Sequence, residues 1–298
     1  MSRRSLAFLS AAIALALTSS TARAQIIHLE CSMDGSQEVP PVVTTMTGRA
    51  DYVLNTANNT LKYSLSFTTP STPQTGAHIH VTSTTAIMFG FPGGSPIFGS
   101  IATTPAQNAT ILAPNGTYTN IHTQAHPGGE IRGTNVLSPP VGTAMCFGDG
   151  TGGACPCGNN GGPGRGCENS VATGGALLEA SGHVSPDNVV LIATGERATA
   201  ISIFMQGNVM IAPVTFGDGL RCLSGIKRLA TKNAIAGAVA FPEGAEPSIT
   251  TRAAALGQPN PPGSTRWYQT YYRDGLATFC APPVGDSFNV GNMVQITW

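Results

Sequence analysis

Residues 48–67 read GRADYVLNTANNTLKYSLSF, and this stretch indicates the fold of the first half of the chain. Alternating or β-branched runs fill Gly48–Leu54 and Thr60–Phe67, and the turn formers Asn58 and Asn59 lie between them, so the stretch predicts a β-hairpin. Similar runs, each bounded by turn residues, are Ile26–Cys31, Ala77–Thr82, Ile97–Ile101, Tyr118–Thr123 and Glu130–Val136. About seven such strands predict a β-sandwich or barrel, and no apolar period of about 3.6 residues lasts long enough here to require a helix.

Length and composition narrow the class of protein. The 298 residues exceed the usual size of one domain, so we expect two modules of roughly 100–150 residues. Charged residues make up only 10% of the chain, and it contains 36 glycines and 22 prolines, which disfavours long exposed helices and coiled coils. The formal net charge is zero and no basic stripe is present, so nucleic acid is excluded as a partner.

The amino-terminal residues have the pattern of a secretory signal. Arg3 and Arg4 precede the apolar run Leu6–Leu17, and Ala22-Arg23-Ala24 fits a cleavage site. We therefore expect residues 1–24 to be a signal peptide removed after Ala24. The apolar run is shorter than the roughly 20 residues that a bilayer span needs, so no transmembrane segment is predicted. The mature protein is expected to be secreted or to lie in the periplasm or cell envelope.

The second half is also predicted to be built from strands. The first domain is assigned to residues 25–136, a proline-containing linker to 137–145 and a second domain to 146–298. The strand-like runs of the second domain are Ala176–Ala180, Asn188–Thr194, Ala200–Gln206, Val214–Phe216, Ala236–Phe241, Ser248–Ala255, Arg266–Arg273 and Val290–Trp298. Aromatic residues on both faces of Trp267–Asp274 favour a strand in the middle of a sheet, and an exposed strip that stacks sugars is the alternative.

All seven cysteines follow the predicted signal, where disulfides form and persist. The six in the second half are disulfide candidates, and the sequence does not choose among their 15 possible pairings. Cys31 is the odd cysteine, either a free thiol or paired outside its own module. A four-thiolate zinc site is disfavoured because Cys-x-Cys is tighter than the usual spacing. The six candidates are Cys146, Cys155, Cys157, Cys167, Cys222 and Cys280.

Clustered histidines are the main candidate site of the first half. His78 and His80 lie two residues apart in a predicted strand, so they share one face about 6.6 Å apart along the chain. His122, His126 and Glu130 surround a predicted hairpin turn that returns Glu130 beside His122. Two interpretations stay open: a structural hydrogen-bonding network, or a site for copper, zinc or iron.

The first module resembles a CHRD domain, the repeat named after chordin, over about 110 residues. The matching blocks are Gln37-Glu38-Val39-Pro40-Pro41-Val42, Thr47-Gly48-x-Ala50, Leu61-x-Tyr63, Ala77-His78-Ile79-His80, Gly116-x-Tyr118-x-Asn120-Ile121-His122-Thr123 and His126-Pro127-x-Gly129-Glu130-Ile131-Arg132-Gly133. The resemblance implies an immunoglobulin-like β-barrel that acts as an extracellular binding or structural module, without catalytic residues. Cys31 and the stretch Phe89–Pro96 depart from the family pattern. The second module resembles a Cys/Gly-rich unit of secreted bacterial proteins.

The protein is predicted to function through contact of its surface with a partner. No nucleophile elbow, phosphate loop or spaced carboxylate pair is present, so we expect an exported, non-enzymatic binding or structural protein without a cofactor. Its partner would be an unknown extracellular protein or polysaccharide. The alternative is an exported protein that binds one transition-metal ion through the candidate ligands His78, His80, His122, His126 and Glu130.

Overall fold

The computed structural model describes residues 25–275, 279–281 and 285–298; the predicted signal, residues 1–24, lies outside them. Antiparallel strands make up most of the described chain, which confirms the all-β class. The strands of the first half are β1 (Ile26–Asp34), β2 (Thr47–Asn55), β3 (Thr60–Phe67), β4 (Gln74–Val81), β5 (Ile87–Gly90), β6 (Ile97–Ala102), β7 (Thr117–Thr123), β8 (Ile131–Thr134) and β9 (Val136–Leu137).

These strands form one sheet in the order β5-β4-β7-β8-β1-β2-β3-β6, with β9 paired to β1. The sheet curls around a core to which most of its strands contribute, including Leu29, Tyr52, Leu65, Ile79 and Ile121. Successive side chains of a strand point to opposite faces. Each strand that sends alternate residues into this core therefore displays the residues between them on the outer face.

Two short helices correct the sequence interpretation. Helix α1 (Pro105–Leu112) begins with a capping box in which the Thr104 side chain accepts from Gln107 N, and the Gln107 side chain accepts from Thr104 N. Helix α2 (Ile249–Ala255) replaces the predicted strand Ser248–Ala255, because Ser248 caps it and one helical face is buried. None of the described helices is long and apolar enough to cross a bilayer.

The second half divides its strands among three sheets. The strands are β10 (Thr143–Met145), β11 (Leu177–Ser181), β12 (Val190–Thr194), β13 (Ile201–Gly207), β14 (Val209–Phe216), β15 (Gly219–Ser224), β16 (Lys227–Asn233), β17 (Val239–Phe241), β18 (Thr265–Arg273), β19 (Phe288–Val290) and β20 (Met293–Thr297). A six-stranded sheet has the order β10-β20-β18-β13-β16 with β19 paired to β18. A second sheet has the order β11-β12-β17, and β14 pairs with β15 in the third.

Strand β18 is the predicted aromatic strand, and it lies in the middle of the six-stranded sheet. Tyr268 and Tyr272 are fully buried on one face. On the other face, the Tyr271 ring packs edge-on against Phe216 and Phe288, with ring centroids 5.8 and 5.7 Å away. The core interpretation is therefore confirmed, and these aromatic side chains serve packing between sheets.

Three disulfides join the six candidate cysteines, as Cys146–Cys222, Cys155–Cys167 and Cys157–Cys280. Cys31, the odd cysteine, is a free and buried thiol on β1, and burial raises its pKa to about 12. The structure therefore resolves both questions that the cysteine count left open. Disulfides, which persist outside reducing compartments, are confined to the second half among the described residues.

The two halves contact each other directly. Ile26 and Val53 of the first half pack with Val190 and Ile192 of the second in one small apolar cluster. Charged contacts flank it: Lys62 Nζ lies 2.9 Å from Glu243 Oε2, and His183 Nε2 lies 2.7 Å from Glu30 Oε1. Within the predicted linker, β10 pairs with β20 and Pro140 forms an isolated bridge with Ser181. The domain limits at 137 and 145 stay a prediction.

Candidate metal centre

Neighbouring antiparallel strands bring three histidines together on the outer face of the CHRD-like sheet. Ala77 and Ile79 of β4 are buried in the core, so His78, between them, and His80, directly after Ile79, face outward. On β7, His122 pairs with Gly76 of β4, which lies two residues before His78. The ring centroids of His78, His80 and His122 are 4.8 to 5.7 Å apart. We call these three residues the histidine triad.

Nitrogen atoms of the triad are close enough to share an ion. One ring nitrogen from each histidine lies within 4.8 Å of the other two. In the tetrahedral geometry of zinc, two bound nitrogens lie about 3.3–3.4 Å apart, since each bond is about 2.0–2.1 Å long. A pair at the 4.8 Å limit therefore has to close by about 1.4 Å, which requires rotation of the side chains when an ion binds.

Backbone carbonyl groups fix the orientation of two triad rings. His80 Nδ1 lies 2.8 Å from the Thr85 carbonyl oxygen, and His122 Nδ1 lies 3.0 Å from the Pro127 carbonyl oxygen. A carbonyl oxygen only accepts hydrogen bonds, so Nδ1 carries the proton in both rings and Nε2 keeps the lone pair. Metal-bound histidines have this arrangement, in which an outer acceptor holds the second N–H.

Three of the four remaining ring nitrogens are buried without a hydrogen-bond partner, one in each histidine. They are His78 Nδ1, His80 Nε2 and His122 Nε2. Burial lowers the pKa of His78, and the neighbouring His122 and His80 lower it further. Burial also lowers the pKa of His122, against the opposing effect of its bond to Pro127. Both imidazoles are therefore neutral at neutral pH, the form that binds metal ions.

An aromatic and ionic row continues from the triad across β7 and β8. The His80 ring stacks on Tyr118 with centroids 4.9 Å apart and planes 8° from parallel, and Arg132 Cζ lies 4.1 Å from the Tyr118 centroid. Arg132 also interacts electrostatically with the carboxyl group of Glu38. Burial raises the pKa of Glu38 to about 7, although the positive charge of Arg132 opposes the rise. The stacked Tyr118 ring restricts the rotation of His80 beside the triad.

Two of the predicted ligands lie outside this group. Glu130 is fully buried and accepts hydrogen bonds from Thr44 Oγ1 at 2.7 Å and Ser71 Oγ at 2.8 Å. Burial alone would raise its pKa, but these hydrogen bonds lower it below its usual value. His126 lies in the turn after β7 and its main chain pairs with Thr123. The structure therefore brings together His78, His80 and His122 but not His126 or Glu130.

Sequence reasoning also missed the residues that shape the site. Gly76 lies under the triad, because a Cβ atom there would come within 2.8 Å of His78 Cε1. The carbonyl groups of Thr85 and Pro127 carry no side-chain signal. Gly76 is the exception, since its position two residues before His78 places it on the same strand face.

Comparison with known proteins matches residues 29–134 to the CHRD domain family. No curated protein and no solved structure matches the chain. The matched segment runs from β1 to the end of β8 and contains all three triad histidines. The three disulfides support in part the interpretation of the second half as a Cys/Gly-rich module. The CHRD domain of this chain thus spans residues 29–134.

Proposed function

We propose that the CHRD domain binds one divalent transition-metal ion, copper or zinc, through His78, His80 and His122. The observation that carries the proposal is the convergence of three imidazoles, each with one buried ring nitrogen that has no hydrogen-bond partner. Two of the rings are already turned so that Nε2 is the lone-pair nitrogen. This combination is what a metal ion requires of its ligands.

The alternative structural network accounts for these atoms less well. In such a network each buried ring nitrogen would have a partner, because leaving a buried polar atom unpaired costs about 1–3 kcal/mol. The three buried nitrogens have no such partner, and the rings that pack against the triad are those of its own members and of Tyr118. A bound cation would satisfy all three nitrogens together and recover this cost.

The donor set favours particular ions. The group contains only imidazoles, without thiolate or carboxylate. Neutral imidazole suits copper and zinc, whereas magnesium and calcium prefer oxygen ligands. Three histidines with a fourth position left to solvent is also an arrangement known for zinc. Iron, the third ion expected from the sequence, more often has a carboxylate among its ligands, and Glu130 is turned away here.

The wider role we propose is that of an exported binding protein. The disulfides and the CHRD domain are those of an extracellular or envelope protein. We assign the triad a binding role and no catalytic one. Contact with an extracellular protein or polysaccharide stays a prediction, since the triad does not identify such a partner.

Metal titration of the purified full chain tests the proposal. Calorimetry with copper(II) and zinc(II) in separate arms, followed by elemental analysis after dialysis, should give one equivalent of the preferred ion per chain. His80→Ala and His122→Ala should each abolish retention. His126→Ala is the matched control, since this histidine lies in the adjacent turn but outside the triad, and it should leave the stoichiometry unchanged.

Three results would contradict the proposal. Retention far below one equivalent in both arms would exclude a metal site in the folded protein. Unchanged retention in His80→Ala would show that metal binds elsewhere. A loss in His126→Ala equal to that in His122→Ala would return the site to the set of ligands expected from the sequence.

A further inference from the structure

Thr85 has an unusual backbone conformation next to the triad. Its φ is 56°, in the left-handed region that β-branched residues rarely adopt. Such a conformation costs on the order of 1–3 kcal/mol and persists only where the surroundings hold it. Here the turn between β4 and β5 holds it, because Thr85 N donates to Val81 O at 2.8 Å and Val81 N donates to Ala86 O at 2.8 Å.

This conformation directs the Thr85 carbonyl oxygen at His80 Nδ1, 2.8 Å away. The pairing of β4 with β5 also shifts register between Ile79 and His80, so the strand is irregular where the turn begins. Both departures from regular hairpin geometry therefore lie next to His80. His122, in contrast, receives its carbonyl from the Pro127-Gly128-Gly129 turn, in which the left-handed residue is Gly129, with φ 132°.

We propose that Thr85 is a positioning residue of the metal site, whose main-chain carbonyl fixes His80 in the Nδ1–H tautomer before any metal binds. In the other tautomer the Nδ1 lone pair would face the carbonyl oxygen, and the Nε2 proton would point into the triad. Free histidine in water prefers that other tautomer. The turn therefore holds His80 ready to bind, at the expense of a strained residue.

The effect on affinity rests on the proposed metal-binding function, but the tautomer is a property of the metal-free protein. Removal of the outer hydrogen-bond partner of a ligand histidine typically weakens metal binding by about 10- to 100-fold. Tyr118 stacks on the same ring and also limits its rotation. Because stacking does not distinguish the two tautomers, the carbonyl remains the group that selects between them.

Long-range proton–nitrogen NMR of the metal-free full chain reads the tautomer of each histidine directly. The wild-type protein should show the Nδ1–H form for both His80 and His122. Ala86→Pro should drive the preceding Thr85 out of its left-handed conformation and remove the carbonyl from His80. His80 should then lose the Nδ1–H form, His122 should keep it as an internal control, and affinity for copper or zinc should fall about 10-fold.

Thr85→Gly is the matched control, since glycine adopts the same φ without strain. It should keep the Nδ1–H tautomer of His80 and bind metal within about threefold of the wild type. An Nε2–H tautomer of His80 in the metal-free wild type would overturn the proposal even if Ala86→Pro does not fold. An unchanged tautomer and affinity in folded Ala86→Pro would also overturn it. A fixed tautomer without metal binding would reject the proposed function alone.

Discussion

In the CHRD domain the strands are long and hydrogen-bonded in one continuous sheet, whereas the second half divides its strands among three smaller sheets and contains three disulfides. Strands β1 and β2 each have nine residues and pair along their whole length. The CHRD domain thus obtains its order from backbone hydrogen bonds. Its outward-facing side chains are free for function, and the triad occupies that face.

The glycine-rich start of the second half obtains its order differently. The Glu168 carboxylate accepts hydrogen bonds from the backbone N–H groups of Asn169, Gly174 and Gly175. The Asn159 side chain donates to the carbonyl oxygens of Glu168 and Asp218. Side chains that could have formed a surface site are therefore used to satisfy irregular backbone. Where strands pair regularly, the backbone satisfies its own hydrogen bonds, whereas in the irregular segment polar side chains such as Asn159 and Glu168 satisfy them.

Reduction of the disulfides should give the largest difference between the two halves. The chain-entropy relation assigns about 3 kcal/mol to the 12-residue loop closed by Cys155–Cys167 and about 4.5 kcal/mol to the 76-residue loop closed by Cys146–Cys222. Hydrogen exchange followed by mass spectrometry should therefore show loss of protection in peptides from 146–298 on reduction. Peptides from 26–134 should keep their protection.

Cys31→Ala controls for the free thiol, which is the cysteine of the CHRD domain. This variant should respond to reducing agent as the wild type does. Equal loss of protection in both halves would show that the CHRD domain depends on the disulfides through its contacts with the second half. The contrast between the two halves would then fail.

Buried carboxyl groups provide a second, smaller difference. Burial raises the pKa of Glu196 in the second half to about 8, with Ser202 only partly offsetting it, and the pKa of Glu38 in the CHRD domain to about 7. Between about pH 4.5 and these values the folded protein holds a proton that the unfolded chain has released. Stability therefore falls as pH rises through that window, by about 1.4 kcal/mol per unit of pKa shift.

Glu196→Gln and Glu38→Gln should each remove this pH dependence from their own half. The wild type loses unfolding free energy between pH 5 and pH 8. Glu196→Gln should reduce this loss more than Glu38→Gln does, since the pKa of Glu196 is raised further. Exposed Glu179→Gln is the control and should leave the slope unchanged. Denaturant unfolding at several pH values measures all three. A larger effect for Glu38→Gln would reverse the order of the two sites.

Features set by local pattern could be predicted from the sequence. Period-two runs located most strands, because alternate burial is a property of the strand itself. The same rule placed His78 and His80 on one face. The position of the Glu130 side chain could not be predicted. It depends on the conformation of the turn after His126 and on hydrogen bonds with Thr44 and Ser71, which lie far away in the sequence.

The missed helices had different causes. Thr104, Pro105 and Gln107 form a helix-start signal in the sequence that strand-based reasoning overlooked. Ser248 is a similar cap, but the two threonines that follow in α2 favour a strand intrinsically. The disulfide pairs were not predictable because partners such as Cys157 and Cys280 are 123 residues apart, and only the three-dimensional fold brings them together.

The smallest expected effect concerns the space that Gly76 leaves for the His78 ring on the outer face of the CHRD sheet. A Cβ atom at Gly76 would come within 2.8 Å of His78 Cε1, whereas at Gly90 it would come no closer than 3.7 Å to His78 Cδ2. Gly76→Ala should therefore displace the His78 ring and weaken copper or zinc binding about 10-fold, or about 1.4 kcal/mol. Gly90→Ala, the matched control on the neighbouring strand, should bind copper or zinc as the wild type does.

Calorimetric titration measures both affinities. Denaturant unfolding should show little loss of stability in either variant, because alanine restricts the unfolded chain. Equal affinities for the two variants would mean that the His78 ring does not need the space above Gly76, and His78 would then be removed from the set of ligands.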